Sequence, residues 1–153
     1  MNYLSLDWST SRPGYAFKKD GKYIVGALTG AKGSFWDRTY QYGKQLIDII
    51  EEYELQEYHL VVEKPIMPRG KKYTMEIINC NGMVIGMLQD YINGFTFISN
   101  KSWGAYHLLP SASGDRKDVA NEILFNDLGI KGAKGGDEAD AYCQLKYVES
   151  LEK

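Results

Sequence analysis

Four carboxylates stand where separate strands and a helix would bring them together: Asp7, Glu63, Asp137 and Asp140. Asp7 ends the apolar run Leu4-Ser5-Leu6, and Glu63 ends a second one, Leu60-Val61-Val62. Asp137 and Asp140 are three residues apart at the start of a helix-like segment, so both point to one face. Crowded acids repel one another unless a cation offsets the repulsion. Two-metal phosphodiester hydrolysis needs such a set, with one ion activating water and one stabilising the leaving 3′ oxygen. Each acid also has a plainer use. Asp7 suits a turn, Glu63 before Lys-Pro suits an exposed sheet edge, and acids in a first helical turn favour the macrodipole. Those uses explain the residues singly and leave the constellation unexplained. Glu138, about 100° further round the helix, is expected to face solvent.

These acids need elements to hold them. β-Branched and aromatic alternation predicts strands at 2–7, 13–19 and 22–29. Lys19-Asp20-Gly21-Lys22 reads as a hairpin turn, since Asp-Gly tolerates positive φ. Helical spacing of Phe35, Tyr42, Leu46, Ile49 and Tyr53 predicts a helix over 33–54. A buried strand follows at 58–63, then a loop held open by Pro65 and Pro68. A helix over 72–93 carries two apolar stripes, one of Ile77, Cys80, Val84, Met87 and Tyr91, the other of Ile78, Gly82, Ile85 and Ile92. One stripe suffices to meet a sheet. The second fits either burial within the same domain or contact with a partner subunit across Gly82 and Gly86. A short strand at 95–98 precedes a helix at 115–128, with Ser113 and Asp115 as candidate caps and Gly129 as its stop. A Gly/Lys segment leads into a last helix at 137–150. Three consecutive strands, helix, strand, helix, strand, then helices is the ribonuclease H-like order. It predicts an α/β fold, a mixed five-stranded sheet flanked by helices on both faces, with residues 1–153 as one domain.

Composition narrows the functions. At 153 residues, 44% hydrophobic and 25% charged, the chain has the make-up of a soluble globular protein. No stretch nears the ~20 apolar residues of a membrane span, and a basic leader is absent, so a cytoplasmic protein with no membrane partner is expected. Cys80 and Cys143 read as reduced core thiols. His59 and His107 lack partners at zinc spacing, no phosphate-binding Gly-x-x-x-x-Gly-Lys-[Ser/Thr] loop occurs, and no serine or cysteine nucleophile has a positioned base. The net charge of −2 disfavours nucleic acid in bulk, but the bases are clustered. Lys64, Arg69, Lys71 and Lys72 form one acid-free set, and Lys101, Arg116, Lys117, Lys131 and Lys134 a second. Such patches suffice for phosphate contacts.

The whole pattern resembles the RuvC-type Holliday junction resolvases, in the short form of their phage-encoded branch. Leu4-Ser5-Leu6-Asp7-Trp8-Ser9 through Gly14-Tyr15-Ala16-Phe17 is similar to that family's first strand, catalytic Asp and second strand. Val61-Val62-Glu63-Lys64-Pro65 is similar to its second motif, Arg116-Lys117-Asp118-Val119 to its DNA-touching helix start, and Asp137-Glu138-Ala139-Asp140-Ala141 to its final Asp-x-Ala-Asp-Ala. The resemblance implies a homodimer that nicks four-way DNA in pairs, extending to three-way or forked branches, with two Mg²⁺ per site for which Mn²⁺ substitutes. It implies metal binding by Asp7, Glu63, Asp137 and Asp140 and phosphate contacts by Lys64, Arg69, Lys71, Lys72, Lys101, Arg116 and Lys117. The second apolar stripe of the 72–93 helix places the interface of such a dimer at Ile78, Gly82 and Ile85. Trp8 and Ile66 depart from it. Ile66 stands where better-known members carry a base-stacking phenylalanine, which implies broader branch cleavage. Another ribonuclease H-like nuclease, a non-catalytic DNA-binding relative and an actin-like or sugar-kinase ATPase stand as alternatives. The last needs two such domains.

Overall fold

Strands β1 (Asn2–Asp7), β2 (Gly14–Lys19) and β3 (Lys22–Ala27) run antiparallel in succession. The β2–β3 turn uses positive φ at both Asp20 (51°) and Gly21 (79°), matching the right-handed twist of the flanking strands. Helix α1 (Phe35–Glu52) then crosses over, so that β4 (Tyr58–Glu63) lies parallel to β1, as a crossover helix requires. Its start is fixed by a capping box, Ser34 accepting from the Asp37 amide and Asp37 from the Ser34 amide. Helix α2 (Lys71–Met87) leads to β5 (Ile92–Ile98), parallel to β4, and α3 (Asn100–Tyr106), α4 (Ser113–Leu128) and α5 (Glu138–Ser150) complete the chain. The sheet order is β3-β2-β1-β4-β5. This computed structural model describes residues 1–9, 11–65, 71–133 and 136–152, with the backbone alone at 71–74 and 113.

Alternation along the strands sends side chains to two cores. Leu4, Leu6, Phe17, Leu60 and Val62 pack with Tyr42, Leu46 and Ile50 of α1 and Cys80, Val84 and Ile85 of α2. Ala16, Val61 and Ile98 pack on the other face with Trp103, Ala120 and Leu124 and with Ala139, Tyr142, Cys143 and Leu145 of α5. The expected α/β sheet with helices on both faces is therefore present. Cys80 and Cys143 are free, buried and in opposite cores, and burial pushes the Cys143 thiol up to about 12. Among the described residues no helix is long and apolar enough to cross a membrane.

Several elements differ from expectation. Helix α3 is absent from the pattern reading because seven residues are too few to show a helical period, yet Ser99 caps it by accepting from the Ser102 amide. Helix α2 ends at Met87, not 93, and β5 begins at Ile92 rather than 95. Gly94 (φ 149°) sits at a register shift opposite Tyr58–Leu60 and lets the strand run through it. Helix α4 is preceded by Ala112 with no side-chain cap, in place of the expected Asp115, and the side chain of Ser113 lies outside the described residues, whereas Gly129 (φ 70°) closes the helix as expected. On α2, Ile85 of the expected interface set belongs to the core, 9% exposed. Ile78, Gly82 and Gly86 of the second stripe are exposed.

Candidate metal centre

Leu6 pairs with Val62, so Asp7 and Glu63 leave adjoining parallel strands at the same carboxyl end of the sheet. On its other side Asp7 pairs with Gly14 of β2. A Cβ on Gly14 would lie 2.2 Å from the backbone carbonyl of Asp137, so only glycine lets the start of α5 come this close to the sheet. That approach delivers Asp137, which precedes α5, and Asp140, in its first turn, to Asp7. Oxygens of these three acids all lie within 4.8 Å of one another. Glu63 joins them through Gln144, whose amide nitrogen lies 3.3 Å from both Asp7 Oδ1 and Glu63 Oε2. The structure thus brings together all four acids singled out in the sequence.

Electrostatics show how unusual the cluster is. Burial, then the charges of Glu63, Asp137 and Asp140, push the Asp7 carboxyl well above the usual carboxylate range, with Lys117 opposing. Burial likewise raises Glu63, against a hydrogen bond from Asn100, and raises Asp140, against Lys117. Lys117 Nζ lies 3.0 Å from Asp137 Oδ1 and 2.9 Å from Asp140 Oδ2. Burial depresses its pKa, but the two acids outweigh this and raise it. One lysine cannot neutralise four acids. Asp140 Oδ1 is moreover buried with no hydrogen-bond partner, an acceptor that calls for a donor or cation. The available donors are all hard oxygens, the ligand set preferred by Mg²⁺ and Mn²⁺. The residues fit such ions.

Pattern reading missed four supporting residues. Glu138 is 5% exposed, not solvated. Arg12 Nη1 bonds its Oε2 at 2.6 Å and the Ala133 amide bonds its Oε1 at 2.7 Å. Despite burial, these partners hold its carboxyl below the usual range. Arg12 and Glu138 thereby tie the β1–β2 loop to the segment entering α5. Asn100 donates to Glu63 Oε1, and Gln144 reaches two acids. These pairings join residues up to 137 apart, so local periodicity gives no sign of them. Asn100 also anchors Arg116, which donates to its carbonyl at 2.8 Å and lies 4.3 Å from the Trp103 ring. Lys64 and Lys101 are exposed, next in sequence to Glu63 and Asn100. Arg69, Ile66 and Lys134 lie outside the described residues, as do the side chains of Lys71 and Lys72. Lys131 is exposed in the segment before α5. Trp8 is buried, its ring edge-on to Tyr42 at 6.1 Å.

Fold and site together define a ribonuclease H-like α/β protein with a buried acidic cluster at the carboxyl ends of its interior strands. The chain belongs to the family described as Lactococcus phage M3 protein, which matches residues 1–150. Among solved structures it is similar to Thermus thermophilus RuvC in complex with Holliday junction substrate, with a TM-score of 0.71 and 10% identity. That likeness covers 99% of this chain and 96% of the other. A second Thermus thermophilus RuvC structure gives a TM-score of 0.66 and 11% identity over 99% and 97% of the two chains. The fold is thus that of RuvC. No curated protein matches the chain in sequence.

Proposed function

We propose that this chain is a divalent-metal-dependent endonuclease that cleaves Holliday junctions and other branched DNA. The observation carrying this reading is the convergence of Asp7, Asp137 and Asp140 within 4.8 Å, with Glu63 beside them, on a RuvC-like fold. These four acids would hold two Mg²⁺ or Mn²⁺ ions, which supply an activated water and stabilise the departing 3′ oxygen. The chain's own contribution is placement. Gly14 admits α5, Arg12 and Glu138 fix its entry, and the β1 and β4 ends aim Asp7 and Glu63 at one point. Lys64, Lys101 and Arg116 would take backbone phosphates, joined by Arg69, Lys71 and Lys72. The host cytoplasm is the expected setting for a phage-encoded member. The reading is tested with labelled branched DNA and a Mg²⁺ titration, which separates cleavage from binding alone and from ATP turnover.

Lys117 has a conditional role in this account. In the metal-free protein its charge is spent on Asp137 and Asp140. Once cations neutralise those acids, Lys117 is released toward a phosphate. Lys117→Gln should therefore flatten the log–log salt dependence of DNA binding by about one unit in Ca²⁺, a larger ion used here to bind without turnover. In EDTA the slope should not change. Equal slopes under both conditions would leave Lys117 an internal counter-ion only.

Two symmetric nicks need two sites, which a C2 homodimer supplies. Phe95 and Phe97 pair in register with Leu60 and Val62, so they continue the α2-facing side of the sheet onto its edge strand. They are 45% and 43% exposed, and Met75 and Ile78 of α2 are 60% and 42% exposed. With exposed Gly82, these exposed residues of β5 and α2 are the ones proposed for the dimer contact. Ile78→Asp or Phe97→Asp should give a folded monomer by sedimentation, with paired nicking reduced to single nicks. Ile85→Asp should instead unfold the protein, because Ile85 lies in the core. A wild type that sediments as a monomer with and without junction DNA would remove paired nicking and leave hydrolysis standing.

A further inference from the structure

We infer that Gln144 is a positioning residue for the metal centre, pinning Asp7 and Glu63 to one another from behind. This rests on the metal-binding reading above. Gln144 is fully buried, one turn beyond Asp140 on α5, a place where a folded core ordinarily puts an apolar side chain. Its Nε2 is 3.3 Å from Asp7 Oδ1 and 3.3 Å from Glu63 Oε2. A carboxamide nitrogen carries two N–H groups, enough for one hydrogen bond to each acid. Carboxylates accept only, so both neighbours fix which end of the amide faces them. Asn100 completes the pattern by donating to Glu63 Oε1.

Two neutral amides therefore satisfy three carboxylate oxygens without adding charge. A cationic side chain at 144 would compete with a metal ion for the same acids, and an apolar one would leave them to splay under mutual repulsion. The amide avoids both. It holds ligands from β1 and β4 at fixed separation while leaving their net negative charge for a cation. The second amide atom, Oε1, is buried with no hydrogen-bond partner, as is Asp140 Oδ1 one helical turn away. Two unsatisfied acceptors on residues one helical turn apart in α5 suit a hydrated cation, whose water ligands donate hydrogen bonds. Groups that orient metal ligands in this way commonly contribute about 10–100-fold to metal affinity.

The test is Mn²⁺ binding to DNA-free protein, followed by electron paramagnetic resonance, in wild type, Gln144→Leu and Asp7→Asn. Gln144→Met, whose flexible side chain fills the same space, replaces the leucine variant if that does not fold. The expected result is a folded Gln144 variant with Mn²⁺ affinity about 10–100-fold weaker. Cleavage should show the same split, with the half-saturating Mn²⁺ concentration raised and the rate at saturating Mn²⁺ largely recovered. Affinity lost in Asp7→Asn but unchanged in the Gln144 variant overturns the positioning role and leaves the metal site intact. Affinity indifferent to Asp7→Asn overturns the metal-site reading, and the role of Gln144 with it.

Discussion

Asp7→Asn should retain junction binding and lose at least about a thousand-fold in cleavage, the several kcal/mol that metal-ion catalysis supplies at tenfold per 1.36 kcal/mol. Glu63→Gln should behave alike. Both substitutions keep side-chain shape and remove one charged ligand, so binding through the basic residues survives. Asp7 is the sharper case, being 8% exposed and central to the cluster that holds Asp137 and Asp140 within 4.8 Å. Robust nicking by either variant in metal-clean Mg²⁺ buffer would remove that residue from the site.

The same residue should make the metal-free protein less stable than its Asn variant at neutral pH. Burial, and then Glu63, Asp137 and Asp140, raise the folded-state pKa of Asp7 well above the usual carboxylate range. A raised carboxyl pKa stabilises the fold at pH below the unfolded value. That contribution is lost as pH climbs through the folded value. Glu63 and Asp140 are raised too, so these three acids should cost the metal-free protein stability as pH rises from about 4, against the opposite contribution of Glu138, whose carboxyl is held low. Divalent ions reverse this loss. At a hundred times its dissociation constant a bound ion contributes about 2.7 kcal/mol, roughly 5–10 °C in Tm for a chain of this length. The shift should be large at pH 8 and shrink at pH 5, where protons compete for the ligands. In Asp7→Asn the metal-free Tm should rise and the Mg²⁺-dependent shift should largely vanish. A metal-free Asp7→Asn that melts lower than wild type would mark Asp7 as a structural hydrogen-bonding group. Differential scanning calorimetry with and without Mg²⁺ at both pH values reads this directly.

Strand ends and helix faces are local properties, and they carried much of the fold. An apolar run that stops at a carboxylate placed Asp7 and Glu63 at the ends of β1 and β4. A three-residue spacing placed Asp137 and Asp140 together at the start of α5. The Asp20-Gly21 dipeptide announced its hairpin because its backbone requirement is written in two residues. What stayed hidden depends on approach between distant segments. Glu138 reads as a solvated acid until Arg12, 126 residues away, is brought to it. Gln144 reads as an ordinary helix polar residue until β1 and β4 converge beneath α5. Ile85 and Ile78 look alike in a stripe, yet 9% against 42% exposure separates core from surface. Helix α3 lacks the length that periodicity needs, although Ser99 marks its start. Local pattern thus indicated which acids gather, whereas tertiary contacts decide what orients them.

Incubation of the wild-type chain with a labelled immobile four-way junction across a Mg²⁺ and Mn²⁺ titration tests the central claim most directly. The account predicts paired nicks on two strands of like polarity near the branch point, only with these ions, leaving 5′-phosphate and 3′-hydroxyl ends and sparing unbranched duplex. A junction that is bound yet stays whole at every concentration of both ions would contradict it.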